Sequence, residues 1–181
     1  MAILAQTQSI SQDIKDLIRV FMSEASLKTQ LRRGVGRNQN PDTYDKAVGL
    51  VEVMVSFEAF ISALKPSEPS ILNKRNFFSS SYQGFFITFN ESCKAWIDKL
   101  YEELQNQDLI DTTPRTKRPS IKINNKDNLS EIIEVIYRVR SNMVHGNKTL
   151  SSYRNQVLII NSFHLAYSIL DHIFREEGII T

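Results

Sequence analysis

Residues Asn128–Gly146 read NLSEIIEVIYRVRSNMVHG, and this stretch decides the fold class. Ile132, Ile136, Val139 and Met143 recur at intervals of four, three and four, the period of one helix face. Asn128 or Ser130 can cap the start, with Glu131 and Glu134 early enough to suit the positive end of the helix dipole. Gly146, just past the last turn, is the residue type that stops a helix in a left-handed conformation. The spacing predicts a helix over 128–145.

The same period appears four more times. A first helix is predicted from about Ser9 to Ser23, with Ile10, Ile14, Leu17 and Phe21 inward. A second runs from Pro41 to Leu64, with Leu50, Met54, Phe57, Ile61 and Leu64 as its stripe. Asn40 caps it, Pro41 suits the first helical position, and Lys65-Pro66 ends it. A third is predicted from Phe85 to Gln105, with Phe89, Cys93, Trp96, Leu100 and Leu104 on one side. The last runs from Ser151 to Glu176, with Ile159, Phe163, Ala166, Leu170 and Ile173 facing the core. Phe85–Phe89 and Ile121–Ile123 are the only stretches that also read as short extended pieces. Together these predict an all-α bundle of about five helices. Two connectors, Lys65–Gly84 and Asn106–Asp127, are long for such a bundle.

The 181 residues suit one domain, in which residues 1–40 supply an N-terminal helix and a basic loop and 41–181 form the bundle core. A chain of this size buries roughly 70% of its unfolded surface and needs no metal or disulfide to fold. Cys93 is the single cysteine, which excludes an internal disulfide and any zinc site built on several thiolates. Neither a signal peptide nor an uninterrupted apolar run of membrane-spanning length is read in the chain, so a cytoplasmic protein without a membrane is expected. The net charge of +2 does not announce a nucleic-acid binder, so any such reading rests on local clusters.

The chemistry-bearing residues sit at the end of the fourth predicted helix. With Val139 and Met143 facing the core, Arg140, Asn142 and His145 are the polar members left over. Asn142 and His145, three apart, share a face. Arg140 and His145, five apart, lie about 140° around an ideal helix at roughly 100° per residue. They converge if the helix opens near Gly146, or if a second chain supplies one of them. Histidine gives or takes a proton near neutrality, and arginine grips phosphate oxygens with a planar, permanently charged fork. These types suit metal-free cleavage of RNA, in which the ribose 2′-hydroxyl loses a proton and the 5′-oxygen gains one. They suit equally a helix-end salt bridge and a C-terminal histidine cap.

The segment Arg140-Ser141-Asn142-Met143-Val144-His145-Gly146 resembles the HEPN superfamily, whose signature is an arginine, four to six residues, then a histidine. The polar Asn142 within the motif, Gly146 after it and one further long helix also match. The nearest likeness is to bacterial Apea-like and cyanobacterial MAE-type HEPN proteins. Ser141 departs from the asparagine that often follows the arginine in that family. The resemblance implies a HEPN-like bundle and a metal-independent endoribonuclease working as a homodimer with no cofactor, in the manner of toxins and phage-defence proteins. In that role Arg140 binds phosphate, His145 transfers protons, and Asn142 orients either the histidine or the phosphate. The alternative it implies is a non-catalytic HEPN module that binds RNA or nucleotide, or pairs with an antitoxin or nucleotidyltransferase.

Around the motif, Arg115, Lys117, Arg118 and Lys122 form the densest positive patch and can track an RNA backbone, as a solvated loop also would. Tyr153 and Arg154 follow the motif and can line its groove. Lys28, Arg32, Arg33 and Arg37 read as a flexible basic loop, since Gly34-Val35-Gly36 lacks the partners of a phosphate cradle. Tyr82, Phe85 and Phe86 are candidates for base stacking but better placed in a core. His164 and His172, eight apart, are poorly spaced for a shared metal and read as core or boundary residues.

Overall fold

A computed structural model describes residues 10–30, 41–107, 109, 120–144 and 152–181. Five helices follow in order: α1 (Gln12–Gln30), α2 (Pro41–Leu64), α3 (Ile71–Asn106), α4 (Leu129–Val144) and α5 (Tyr153–Glu176). Among the described residues there is no strand, only an isolated antiparallel bridge between Leu109 and Ile121. The all-α bundle expected from the periodicity is therefore what the chain forms.

The helix starts are set by local chemistry. Asn128 Oδ1 accepts from the backbone N–H groups of Ser130 and Glu131, at 3.0 and 3.4 Å, so Asn128 rather than Ser130 caps α4. The Glu131 carboxylate turns back to accept from Asn124 and Asn125, fixing the loop that enters the helix. Ser70 and Ser152 cap α3 and α5 by accepting from Asn73 and Asn155. α2 ends at Leu64, before Lys65-Pro66, as the proline requires. At the end of α5, Gly178 takes a φ of 65°, and the Ile179 and Gly178 N–H groups donate to the Phe174 and Arg175 carbonyls, a Schellman closure.

α3 corrects the expected boundaries. It starts at Ile71, not Phe85, and its 36 residues reach about 54 Å at 1.5 Å per residue. Only residues 65–70 connect it to α2, so the long first connector does not exist, and Phe85–Phe89 is helical rather than extended. Its N-terminal half buries Arg75, Phe78, Ser79, Tyr82 and Phe86. Those positions keep a helical period, but two are polar, which hides the stripe from an apolar count. Gly84 sits in the helix facing open space, where it costs some stability without breaking the helix.

α2 is the central rod, with α1 and α5 packed along it and α3 and α4 against its remaining side. Phe60 of α2 meets Phe78, Tyr82 and Phe174 at centroid distances of 6.3, 6.2 and 5.1 Å, and Phe57 meets Phe78 edge-on at 4.9 Å. Gly49 lets α2 and α5 approach closely, because a Cβ there would lie 2.5 Å from the Phe163 ring. The predicted stripes of the second and last helices are buried throughout. On α1 the buried set is Ile18, Met22 and Ala25, with Ile10 buried just before it, while the predicted Leu17 is 41% exposed. α1 thus joins the same apolar core as the rest of the chain.

Thr43–Leu64 and Tyr153–Glu176 are long and apolar enough to cross a membrane by length and composition. In the bundle their apolar residues are used by the core: 56% of the most apolar window of each is buried.

Candidate functional site

α4 presents Arg140 and Asn142 in different directions. Two residues apart on a helix, they lie about 200° around the axis at roughly 100° per residue. Arg140 points toward α2, where its Nη1 lies 3.8 Å from the Glu58 carboxylate. Asn142 is fully buried and lines a small void of about 10 Å³ with Leu109, Val139, Met143, Asn155, Leu158 and Ile159. This burial bears on the expectation that Asn142 orients either the histidine or the phosphate. Asn142 lies beneath the surface between α4 and α5, so it cannot touch a phosphate arriving from solvent, and only its orienting role is left open. α4 extends through Val144, and His145 and Gly146 lie outside the described residues.

The Arg140–Glu58 contact is loose. At 3.8 Å it is beyond hydrogen-bond range, and the two side chains are 21% and 32% exposed. The Arg140 Nε is buried and has no hydrogen-bond partner among the described residues. The guanidinium is thus held near a carboxylate without being saturated by it.

A second arginine cluster, missed by the motif reading, lies on the other border of the exposed face of α4. Glu134 stands between Arg75 of α3, at 2.9 Å, and Arg138, one turn along α4, at 3.4 Å. Both arginines are only 3% exposed, and the Arg75 guanidinium stacks 3.9 Å above the Tyr137 ring. Breaking such a buried cluster leaves a desolvated charge, so it acts as a clamp between α3 and α4. The i,i+4 pair Glu134/Arg138 is visible in the sequence; the arrival of Arg75 is not, because it depends on α3 beginning at Ile71.

On α2, Ser62 lies one turn after Glu58 and accepts from Lys74 Nζ at 3.2 Å. Lys74 at the start of α3 and Arg140 of α4 thus approach α2 one turn apart, at Ser62 and Glu58, two cations against one carboxylate. The set is net cationic. Glu58 had a sequence signal: like Glu52, it is a carboxylate set among the apolar positions of this helix.

No family model matches the chain, and no curated protein or solved structure is found similar to it.

Arg115, Lys117 and Arg118 lie outside the described residues, as do Arg32, Arg33 and Arg37. Lys122 is exposed in the segment between the Ile121 bridge and α4. Tyr153 is 77% exposed at the start of α5. Arg154 donates to the Gln107 carbonyl and lies 3.9 Å from Glu103, so it clasps the negative end of α3 instead of turning toward Arg140. Lys28 is engaged by Glu52 at 2.8 Å and is not part of a free loop. Tyr82 and Phe86 are core residues. Burial, with the Glu177 carboxylate accepting from its hydroxyl at 2.8 Å, raises the Tyr82 phenol well above its ordinary range. His172 stacks on Phe89 at 4.6 Å and His164 on Trp96 at 5.5 Å, both at the boundary of the core.

Proposed function

We propose that this chain is a metal-independent endoribonuclease of the HEPN kind, in which Arg140 and His145 form the reactive pair. The observation that carries the reading is the state of Arg140. It is half-buried in a net-cationic corner, permanently charged, close to one carboxylate yet with a buried Nε that has no hydrogen-bond partner among the described residues. The exposed part of such a planar guanidinium can pair with the oxygens of a phosphate. Arg140 stands five residues before His145, the residue type that moves protons near neutrality.

In the proposed reaction the 2′-oxygen attacks its own phosphorus, a base takes the 2′-hydroxyl proton, and the bond to the 5′-oxygen breaks as that oxygen accepts a proton. The products are a 2′,3′-cyclic phosphate and a 5′-hydroxyl. Arg140 holds the negative charge that builds on the phosphate. One histidine supplies one proton-transfer group, so two chains meeting across a twofold axis near α4 and α5 would supply both. A cytoplasmic homodimer acting as a toxin or phage-defence nuclease, with Lys122, Arg115, Lys117, Arg118 and Tyr153 along the RNA path, is the corresponding biological reading.

The second reading is a non-catalytic module that binds RNA or nucleotide, or an antitoxin or nucleotidyltransferase partner. The burial of Asn142 favours it, since one of the three motif residues is then spent on packing.

Incubating purified protein with total RNA in the presence of EDTA separates the two. The ribonuclease reading expects cleavage that survives chelation, leaves cyclic phosphate ends and disappears in His145→Ala. Cleavage of equal rate in wild type and His145→Ala overturns it.

A further inference from the structure

The carboxylate beside Arg140 has a consequence for how the site engages RNA. We propose that Glu58 is a built-in competitor for the Arg140 guanidinium, occupying its charge in the free protein and yielding it to an RNA phosphate. The inference rests on the reading of Arg140 as the phosphate-binding residue and adds a regulator of that site.

The molecule contains ion pairs of two grades on the same helix. Arg138 and Arg75 share Glu134 with their own side chains only 3% and 4% exposed, so an anion from solvent cannot reach either guanidinium. Arg140 is held by Glu58 at 3.8 Å, with both partners partly open to solvent. A phosphate oxygen at about 2.8 Å from a guanidinium makes a charge-assisted hydrogen bond that a carboxylate at 3.8 Å does not make. The released Glu58 can turn to water, because its side chain is 32% exposed. A phosphate that bound beside Arg140 with Glu58 still in place would meet a like charge a few ångströms away. Glu58 therefore opposes anions that cannot displace it, and sets a threshold for occupancy of Arg140. One turn along α2, Lys74 on Ser62 places a further cation in the same corner, which favours the exchange for a polyanion over a small anion.

The test is binding of a fluorescent, mixed-sequence single-stranded oligoribonucleotide carrying 2′-O-methyl groups, so that affinity is read by anisotropy without turnover. Wild type, Glu58→Gln, Arg140→Ala and the double variant are compared at equal ionic strength. Glu58→Gln keeps shape and removes charge; Glu58→Asp withdraws the carboxylate by one methylene and keeps the charge, and serves if Gln is poorly folded. The expected result is tightening of about fivefold in Glu58→Gln, the scale of a partly exposed ion pair. A smaller tightening is expected in Glu58→Asp, and none when Arg140 is already alanine. Tightening that persists in the Arg140→Ala background overturns the proposal, since it would then be a general charge effect. Unchanged or weaker binding in Glu58→Gln, with Arg140→Ala still weakening binding, also overturns it but leaves Arg140 as the phosphate-binding residue. Arg140→Ala binding as tightly as wild type overturns the ribonuclease reading itself, and this inference with it.

Discussion

Gly49 and Gly84 offer one substitution with opposite consequences. Both sit inside helices, where replacing glycine by alanine removes backbone freedom from the unfolded chain and improves helix propensity by up to about 1 kcal/mol. At Gly84 a Cβ meets nothing within 4 Å, so that gain is realised in full. At Gly49 the same Cβ would lie 2.5 Å from Phe163 Cε2 and 3.0 Å from Cδ2 and Cζ. The Phe163 ring cannot step aside: it is fully buried, with Lys46 above it and the His164 and Tyr167 rings as neighbours. Relief requires α2 and α5 to separate, an overpacking cost of about 1–3 kcal/mol. The two variants should therefore differ by about 2 kcal/mol, a gap in Tm of roughly 4–8 °C for a chain of this length. Differential scanning calorimetry of Gly49→Ala and Gly84→Ala beside wild type measures it. Gly84→Ala should melt above wild type and Gly49→Ala well below Gly84→Ala. Equal upward shifts in both would refute the close approach of α2 and α5 on which the core packing depends.

Three further outcomes are expected. Because the Tyr82 phenol is raised above its ordinary value near 10, its contribution to stability is complete below about pH 10 and is lost as pH rises beyond that. Tyr82→Phe should cost about 1.5 kcal/mol at neutral pH, and its deficit against wild type should shrink above about pH 10 in urea titrations; a deficit constant to about pH 11 contradicts the buried hydrogen bond. Asn142→Ala should lower stability by about 1–3 kcal/mol, since a buried polar side chain is removed from a packed seam, and an unchanged denaturation midpoint would contradict its placement. Lys74→Gln should reduce the steepness of the logarithmic salt dependence of RNA binding by about 0.7 between roughly 50 and 200 mM salt, with no preference for sequence; an unaltered slope removes Lys74 from the RNA path.

The fold class was written in the periodicity. The existence of five helices, the proline stop after Lys65 and an asparagine cap at Asn128 are local properties, and local chemistry found them. Where two stripes competed, the sequence had no means of choosing. Leu17 and Ile18 are adjacent apolar residues about 100° apart on one helix, and only the docking of α1 on α2 decided that Ile18 goes inside. The start of α3 was hidden for a related reason: Arg75 and Ser79 occupy buried positions, and an apolar count passes over them. Arg75 is buried because Glu134 and Tyr137 on another helix receive its charge and its plane.

The candidate site divides along the same line. Arg140, Asn142 and His145 could be chosen from residue chemistry and spacing, because proton transfer and phosphate binding need particular side chains wherever the chain carries them. Their surroundings could not. That Arg140 faces Glu58, that Asn142 is enclosed by α5 and Leu109, and that Lys74 reaches Ser62 are contacts between residues far apart in the chain. Helical period sets only the angle at which a side chain leaves its own axis. Which neighbour it meets depends on how the helices cross, and that is fixed by the summed packing of the core.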